Sequence, residues 1–207
     1  MIDLYTWGTP NGRKVSIMLE ECGLPYAVHP VNIRTNEQFA PDFLKLNPNG
    51  KIPALVDSDG PDGKPYALME SGAILLYLAG KTGKLLSKTT RGKYDALQWL
   101  MFQMASVGPM FGQTHHFLHA APEPMPYGIA RYSREKDRLY AVMNTRLGDT
   151  KFLAGNDYTI ADVATFPWVA RFDYHKTDLA DYPNVKRWYD WMNARRAVQK
   201  GMAVPAA

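Results

Sequence analysis

Three short stretches of this 207-residue chain hold polar groups at spacings that can do chemistry. Glu70-Ser71 stands just before the apolar stretch Ala73 to Ala79 and opens a helix there. A helix N-terminus presents unpaired N–H groups and the positive end of a dipole, so it binds carboxylates. Thr9-Pro10-Asn11-Gly12 places a hydroxyl and an amide at the entry to an earlier helix. Lys51-Ile52-Pro53-Ala54 sets an X-Pro bond between a loop and a short strand, and X-Pro is the bond type in which cis geometry is used. A fourth stretch, His115-His116-x-x-His119, invites a metal reading, because His115 and His119 lie one helical turn apart. Glu123 is the one carboxylate nearby and the HExxH pattern is absent, so we read the histidines as part of an aromatic cluster and expect no metal.

The elements that position these residues follow from periodicity and punctuation. Ile2 to Tyr5 reads as a strand, and Asn11 can cap a helix running to about Cys22, with Val15, Met18, Leu19 and Cys22 on one face. Gly23-Leu24-Pro25 stops it. Tyr26 to Val31 is a second strand and Gln38 to Leu46 a short helix, ended by Asn47-Pro48-Asn49-Gly50. Ile52 to Val56 and Tyr66 to Met69 are third and fourth strands joined by a turn rich in Asp, Gly and Pro. Glu70 to Ala79 is a helix. The order is β-α-β-α-β-β-α. Lys81 to Arg91 is polar and reads as a linker. Beyond it, Tyr94 to Met110, Ile129 to Leu147, Ile160 to Ala170 and Val185 to Arg196 all have helical periodicity. Thr159 and Asp162 are spaced as a capping pair, with Tyr158 and Val163 as its apolar staple. We therefore expect α/β plus all-α: residues 1–80 as one domain, 81–91 as linker, and 92–207 as a helical bundle domain.

Composition sets outer limits. Apolar residues make up 46% and charged residues 21%, which is ordinary for a soluble globular protein. The net charge of +4 is scattered along the chain, which argues against nucleic-acid binding. No secretory signal pattern opens the chain, and the longest apolar run is too short to cross a bilayer, so no membrane role is expected. The one cysteine, Cys22, excludes an intrachain disulfide. Its spacing is that of a helix-face core thiol. Together these features favour the cytoplasm.

The β-α-β-α-β-β-α order with Ile52-Pro53 and Glu70-Ser71, joined to helices with Thr159-Ile160-Ala161-Asp162, resembles the glutathione S-transferase superfamily. That resemblance covers nearly the whole chain and implies a thioredoxin-like N-terminal domain. Thr9-Pro10-Asn11-Gly12, Glu70-Ser71-Gly72-Ala73-Ile74-Leu75-Leu76-Tyr77-Leu78 and Gly108-Pro109-Met110-Phe111-Gly112-Gln113 with His115-His116-Phe117 look like the bacterial nu class of glutathione-dependent disulfide-bond oxidoreductases. The resemblance implies glutathione as co-substrate, a cis Ile52-Pro53 bond, and a homodimer pairing the N-terminal domain of one subunit with the helical domain of the other. It implies glutathione contacts at Asn11, Gln38, Ile52, Glu70, Ser71 and Arg131. Ile52 would offer both backbone groups to the cysteinyl unit beside Pro53. Ser71 would hold the γ-glutamyl carboxylate and Glu70 its ammonium. Lys51 and Gln38 would reach the glycine carboxylate.

Redox thioredoxins place Cys-x-x-Cys where this chain has Thr9-Pro10-Asn11-Gly12. The resemblance therefore assigns the reactive thiol to glutathione. Lowering a thiol pKa from ~8.5 to about 7 takes roughly 2 kcal/mol. One hydrogen bond to a charged group supplies roughly 1.5–3 kcal/mol and a helix dipole roughly 0.3–1 kcal/mol more. Thr9 and Asn11 are the candidate catalytic donors, with Tyr5 and Thr6 behind them. The expected reaction is glutathione-dependent reduction of small disulfides without a catalytic protein cysteine. Conjugation to electrophiles, peroxide reduction, and a non-catalytic binding or dimerisation role are the alternatives.

Overall fold

The computed structural model describes residues 1–206, which divide into two compact units, each taken by itself below. The first comprises Met1–Lys84 and the carboxy-terminal segment from Ala194. Its sheet has four strands, β1 Ile2–Thr6, β2 Tyr26–Pro30, β3 Ala54–Asp57 and β4 Tyr66–Met69, in the order β2-β1-β3-β4. β1 runs parallel to β2 and antiparallel to β3, so Leu4 faces Val28 on one side and Leu55 on the other. Ile2, Leu4 and Thr6 alternate into the core, as a half-covered strand requires.

Helix α1, Pro10–Cys22, starts differently from its sequence reading. Thr9, not Asn11, is the N-cap, and its Oγ1 accepts the Gly12 N–H at 3.3 Å. Pro10 takes the first helical position, where its fixed φ and missing N–H cost nothing. Gly23, at φ 70°, closes the helix by donating to the last free carbonyls. The expected Gln38–Leu46 helix is split. Glu37–Phe39 form one 3₁₀ turn and α2 is Pro41–Leu46, because Pro41 holds Ala40 in the extended region. Helix α3, Ser71–Thr82, runs three residues past Ala79 and ends on Gly83 at φ 67°. Ile74, Leu75 and Leu78 are buried, each contributing roughly 1.5–3 kcal/mol.

The second unit spans Leu85–Asn193 and is helical. Residues 90–120 form one interrupted helical path: α4 Thr90–Phe102, a π turn at Gln103–Val107, α5 Gly108–His115, and a second π turn at His116–Ala120. Pro109 accounts for the first interruption, since it has no N–H to give the preceding turn and the wider turn absorbs the mismatch. Then come α6 Pro126–Asp149, α7 Ile160–Val169 and α8 Pro183–Asn193. The Thr159–Asp162 capping pair forms. Asp162 is fully buried and accepts from Thr159 N (3.0 Å), Leu153 N (3.0 Å) and Trp188 Nε1 (2.9 Å). Tyr158 packs on Phe152 and Trp191, with ring centroids at 5.8 and 5.4 Å. Among the described residues, no helix is long and apolar enough to cross a membrane.

The carboxy-terminal end departs from the expected layout. The helix read as Val185–Arg196 stops at Asn193. A separate helix α9, Arg196–Met202, groups with the first unit and packs on α1. Gly201 lies against Ile17 so closely that a Cβ there would come 2.5 Å from the Ile17 Cα and backbone N. Ser16 Oγ donates to Gly201 O at 2.7 Å, and Arg195 forms a two-pronged pair with Glu21, both bonds 2.7 Å. A seven-residue helix leaves little periodicity to read, and nothing local marks its partner. Gly201→Val is therefore expected to destabilise the protein by about 1–3 kcal/mol. Urea unfolding checks it: an unchanged midpoint would mean that α9 gives way freely.

Candidate functional site

In the first unit, the loop before α1 and the start of α3 each present polar groups. Thr9 and Asn11 are both half-buried, at the cap and second position of α1. Because Thr9 Oγ1 accepts from Gly12 N, its own O–H is left as a donor. Gly12 is there for space: a Cβ would collide with Thr6 Oγ1 and come 2.5 Å from Trp7 O. Of the other donors considered, Tyr5 stacks on His29 at 4.6 Å between centroids, and Thr6 is fully buried.

The Lys51–Pro53 loop is held from below. Asn47, 2% exposed, donates from Nδ2 to Lys51 O at 2.6 Å. The Ile52-Pro53 bond is cis, as the resemblance implied. The Ile52 side chain packs against Val31, Phe43 and Ala54. Its N–H and C=O are bonded to nothing among the described residues. Gly50, at φ 62°, abuts the Phe39 ring, which sets the Gln38 turn beside this loop. Gln38 is half-buried and its Oε1 is buried without a partner, an acceptor still wanting a donor. Lys51 is exposed.

Glu70 caps α3 with φ 67°, a conformation uncommon for a residue with a Cβ and one that collects at binding sites. Its side chain makes no cap bond and is exposed. Ser71 follows, 4% exposed, with Lys14 Nζ donating to its Oγ at 3.4 Å. Lys14 is 1% exposed, and burial pulls its pKa down to about 7 against the raising effect of Glu70. Lys14 is absent from the residues that sequence spacing points to. Its position four residues before Met18, on the apolar face of α1, is the one local signal of its burial. Asn47 is likewise legible in the sequence only as part of a helix stop.

Cys22 is buried at the far end of α1, about 20 Å along the helix axis from Thr9. Its Sγ lies 3.4 Å from Thr82 Oγ1, and burial raises its pKa.

In the second unit, Arg131 is exposed on α6. It lines a cavity of about 640 Å³ with Met110, Tyr127, Tyr132, Arg134, Glu135 and Arg138. Arg138 is held by both oxygens of Glu135, at 2.8 and 2.7 Å.

The histidines sit in an aromatic cluster. His115 stacks on His175 at 4.4 Å and meets Trp168 and Tyr174, while His119 Nε2 lies 2.7 Å from Tyr174 O. Among the described residues, no group of three His, Cys, Asp or Glu side chains is placed to hold a metal ion.

Two family models match the chain, the glutathione S-transferase N-terminal domain over residues 9–81 and C-terminal domain over 129–190. The chain belongs to the glutathione S-transferase family. It is 49% identical over 98% of its length to the disulfide-bond oxidoreductase YfcG of Escherichia coli K12, covering 94% of that protein. A glutathione transferase from Burkholderia graminis, solved with two glutathione molecules per subunit, shares 47% identity. Its TM-score is 0.94, over 99% of this chain and 88% of that one. Another from Pseudomonas putida, solved with one glutathione disulfide per subunit, shares 44% identity. Its TM-score is also 0.94, over 99% of this chain and 91% of that one. As a glutathione S-transferase, the chain is an enzyme built from a thioredoxin-like domain and a helical domain, both as expected from sequence.

The histidine pair gives this transferase an acid limit. Burial lowers the pKa of His115 to about 4 and of His175 to about 2, with help from nearby Arg171 and His119 and, at His175, from Lys136. Both are depressed below the ordinary value near ~6.5, so the unfolded chain binds protons that the native chain refuses. Their contribution to stability is complete above pH ~6.5 and falls as pH drops toward 4. The limiting slope is roughly 1.4 kcal/mol per pH unit per histidine. Urea midpoints should fall between pH 7 and pH 5, and His115→Gln should flatten part of the fall. A midpoint flat with pH would mean that neither ring is kept neutral.

Proposed function

We propose that this transferase reduces small disulfides with glutathione, using a bound glutathione thiolate as nucleophile and no catalytic protein cysteine. The observation that carries the reading is Cys22. A thiol that is buried, bonded to Thr82 and raised in pKa at the wrong end of α1 is a poor nucleophile. The relatives supply the missing reagent by their ligands, two glutathiones or one glutathione disulfide per subunit, and a close relative is named for disulfide-bond oxidoreduction.

The chemistry balances without a protein thiol. One glutathione thiolate attacks a sulfur of the substrate disulfide, forming a mixed disulfide and expelling a substrate thiolate, which takes a proton from solvent. A second glutathione thiolate attacks the glutathione sulfur of that mixed disulfide. It gives glutathione disulfide and releases the second substrate thiol.

The Thr9 O–H and the Asn11 amide, at the positive end of α1, are our choice for stabilising the attacking thiolate. The Ile52 backbone beside Pro53, the buried Oε1 of Gln38, the Lys51 ammonium, and Glu70 with Ser71 are our choice for the rest of the tripeptide. Free hydrogen-bonding groups at Ile52 and Gln38 support that assignment. Arg131, exposed beside Arg134, is kept as a further anion contact. We extend the reading to a cytoplasmic homodimer. Tyr94 and Met101 on α4, and Phe39, Tyr66 and Met69 in the first unit, supply exposed apolar surface for a partner.

The test is reduction of hydroxyethyl disulfide, coupled through glutathione reductase to NADPH oxidation. The rate should survive Cys22→Ala. Thr9→Val should lower kcat by about 10- to 100-fold, with Thr9→Ser retaining most of it. Asn11→Ala should lower kcat more than it weakens glutathione binding. No rate from a protein that still binds glutathione would remove disulfide reduction, leaving conjugation, peroxide reduction or binding alone.

A further inference from the structure

Asn47 ends α2 with its backbone and both ends of its side-chain amide engaged. Its N–H donates to Phe43 O at 2.9 Å, and its C=O accepts from Gly50 N at 3.0 Å. The residue is 2% exposed, and its side chain works in two directions. Oδ1 accepts from Asn49 N at 2.9 Å, while Nδ2 donates to Lys51 O at 2.6 Å. A backbone N–H can only donate, so Asn49 settles which end of the amide is oxygen. The bonds from Asn49 and Gly50 close the turn after α2. The bond to Lys51 O reaches beyond that turn. Lys51 O and the Ile52 N–H belong to one peptide unit. Among the described residues the cis bonds are Ile52-Pro53 and Val204-Pro205, so this unit is trans. A trans unit is planar, with its C=O and N–H pointing opposite ways. A grip on Lys51 O by the buried Asn47 therefore aims the Ile52 N–H away from Asn47. Accepting that bond also polarises the unit and makes its N–H a better donor. Among the described residues, nothing accepts from the Ile52 N–H. The Ile52 C=O belongs to the next unit, whose nitrogen is that of Pro53 and carries no hydrogen. Asn47 thus acts on the donor of Ile52 and not on its acceptor.

Resting on the glutathione reading above, we propose that Asn47 is a positioning residue for the tripeptide. It aims and strengthens the Ile52 N–H, which donates to the carbonyl of the cysteinyl unit. That bond sets the register of the cysteinyl backbone, and with it the place of the sulfur. Asn47 touches neither the ligand nor the sulfur; it acts through the Lys51–Ile52 peptide. Its loss weakens the hold on one ligand atom, the cysteinyl carbonyl oxygen. The pairing of the cysteinyl N–H with Ile52 C=O is left intact. A residue that only closed the turn after α2 would affect both pairings alike.

Isothermal titration of the full-length protein with three probes tests this. S-methylglutathione is the parent. One analogue carries sulfur in place of the cysteinyl carbonyl oxygen, which makes a poorer acceptor. The other carries an ester oxygen in place of the cysteinyl N–H. Wild type should bind each analogue about tenfold more weakly than the parent, the effect of one hydrogen bond. Asn47→Asp keeps the acceptor for Asn49 N and loses the donor to Lys51 O. It should bind the parent about tenfold more weakly and no longer distinguish the thiocarbonyl analogue, while still distinguishing the ester. Discrimination kept against both analogues, or lost against both, overturns the role of Asn47 and leaves the glutathione site standing. A measurement on wild type alone decides the matter if Asn47→Asp does not fold. The NMR signal of the Asn47 Nδ2 proton bonded to Lys51 O should move downfield on saturation with S-methylglutathione. The ligand carbonyl then completes a chain of hydrogen bonds through Lys51 and Ile52. A signal that stays in place on saturation overturns the proposal. Absence of any binding of the parent to wild type overturns the glutathione reading itself, and this inference with it.

Discussion

The amino-terminal turn of α1 cannot shift without breaking the site, and the first unit is arranged to hold it still. Pro10 fixes the entry angle, Thr9 ties the cap to Gly12, and Gly12 passes so close to Trp7 O and Thr6 that any side chain there would force the loop open. Below that turn, α1 packs on α3 and α9. The close approach at Gly201 and the Arg195–Glu21 pair are best understood as bracing. Positioning a donor within a few tenths of an ångström is worth little if its helix rocks.

Buried charge is treated in two ways in this protein. Asp162 is fully enclosed and surrounded by donors from Thr159, Leu153 and Trp188. Burial raises its pKa, and each of those bonds pulls it back. Such a network is complete, and its value lies in fixing where α7 begins. Lys14 is as deeply buried and donates to the Ser71 hydroxyl, and burial is the largest influence on its pKa. Asp57 belongs with Asp162, since Tyr77 and Lys81 meet it at 2.7 and 2.9 Å.

Local signals made much of this legible in the sequence. Strands β1 and β4, the Ser71 helix start and the Thr159–Asp162 pair depend on neighbours a few residues away, and they appear where the pattern places them. The cis bond at Pro53 came from family resemblance, because no sequence spacing encodes an isomer. What escaped depends on distant partners. The partner that Lys14 meets at Ser71 lies 57 residues away, beyond the reach of local spacing. The periodic stretch Val185–Arg196 gives no sign of the break at Asn193 or of a separate α9, which is explained only by Gly201 lying against Ile17. The cap moved from Asn11 to Thr9 because both residues are good caps, and only the preference of Pro10 for the first helical position decides between them.

The proposed reaction consumes its nucleophile, which constrains how tightly the site may hold it. Each disulfide reduced turns two glutathiones into one glutathione disulfide, which must leave before the next cycle. Strong binding of every group would trap that product, since interactions equal in ground state and transition state do not raise kcat. The groups proposed to grip the ends of the tripeptide, Lys51 and Glu70, are exposed, so water weakens them and speeds release. Thr9 and Asn11, proposed to meet the sulfur, are half-buried on a braced helix end, where a hydrogen bond to developing charge is strongest. Exposed groups at the ends and sheltered donors at the sulfur are the distribution that turnover with a diffusible thiol requires.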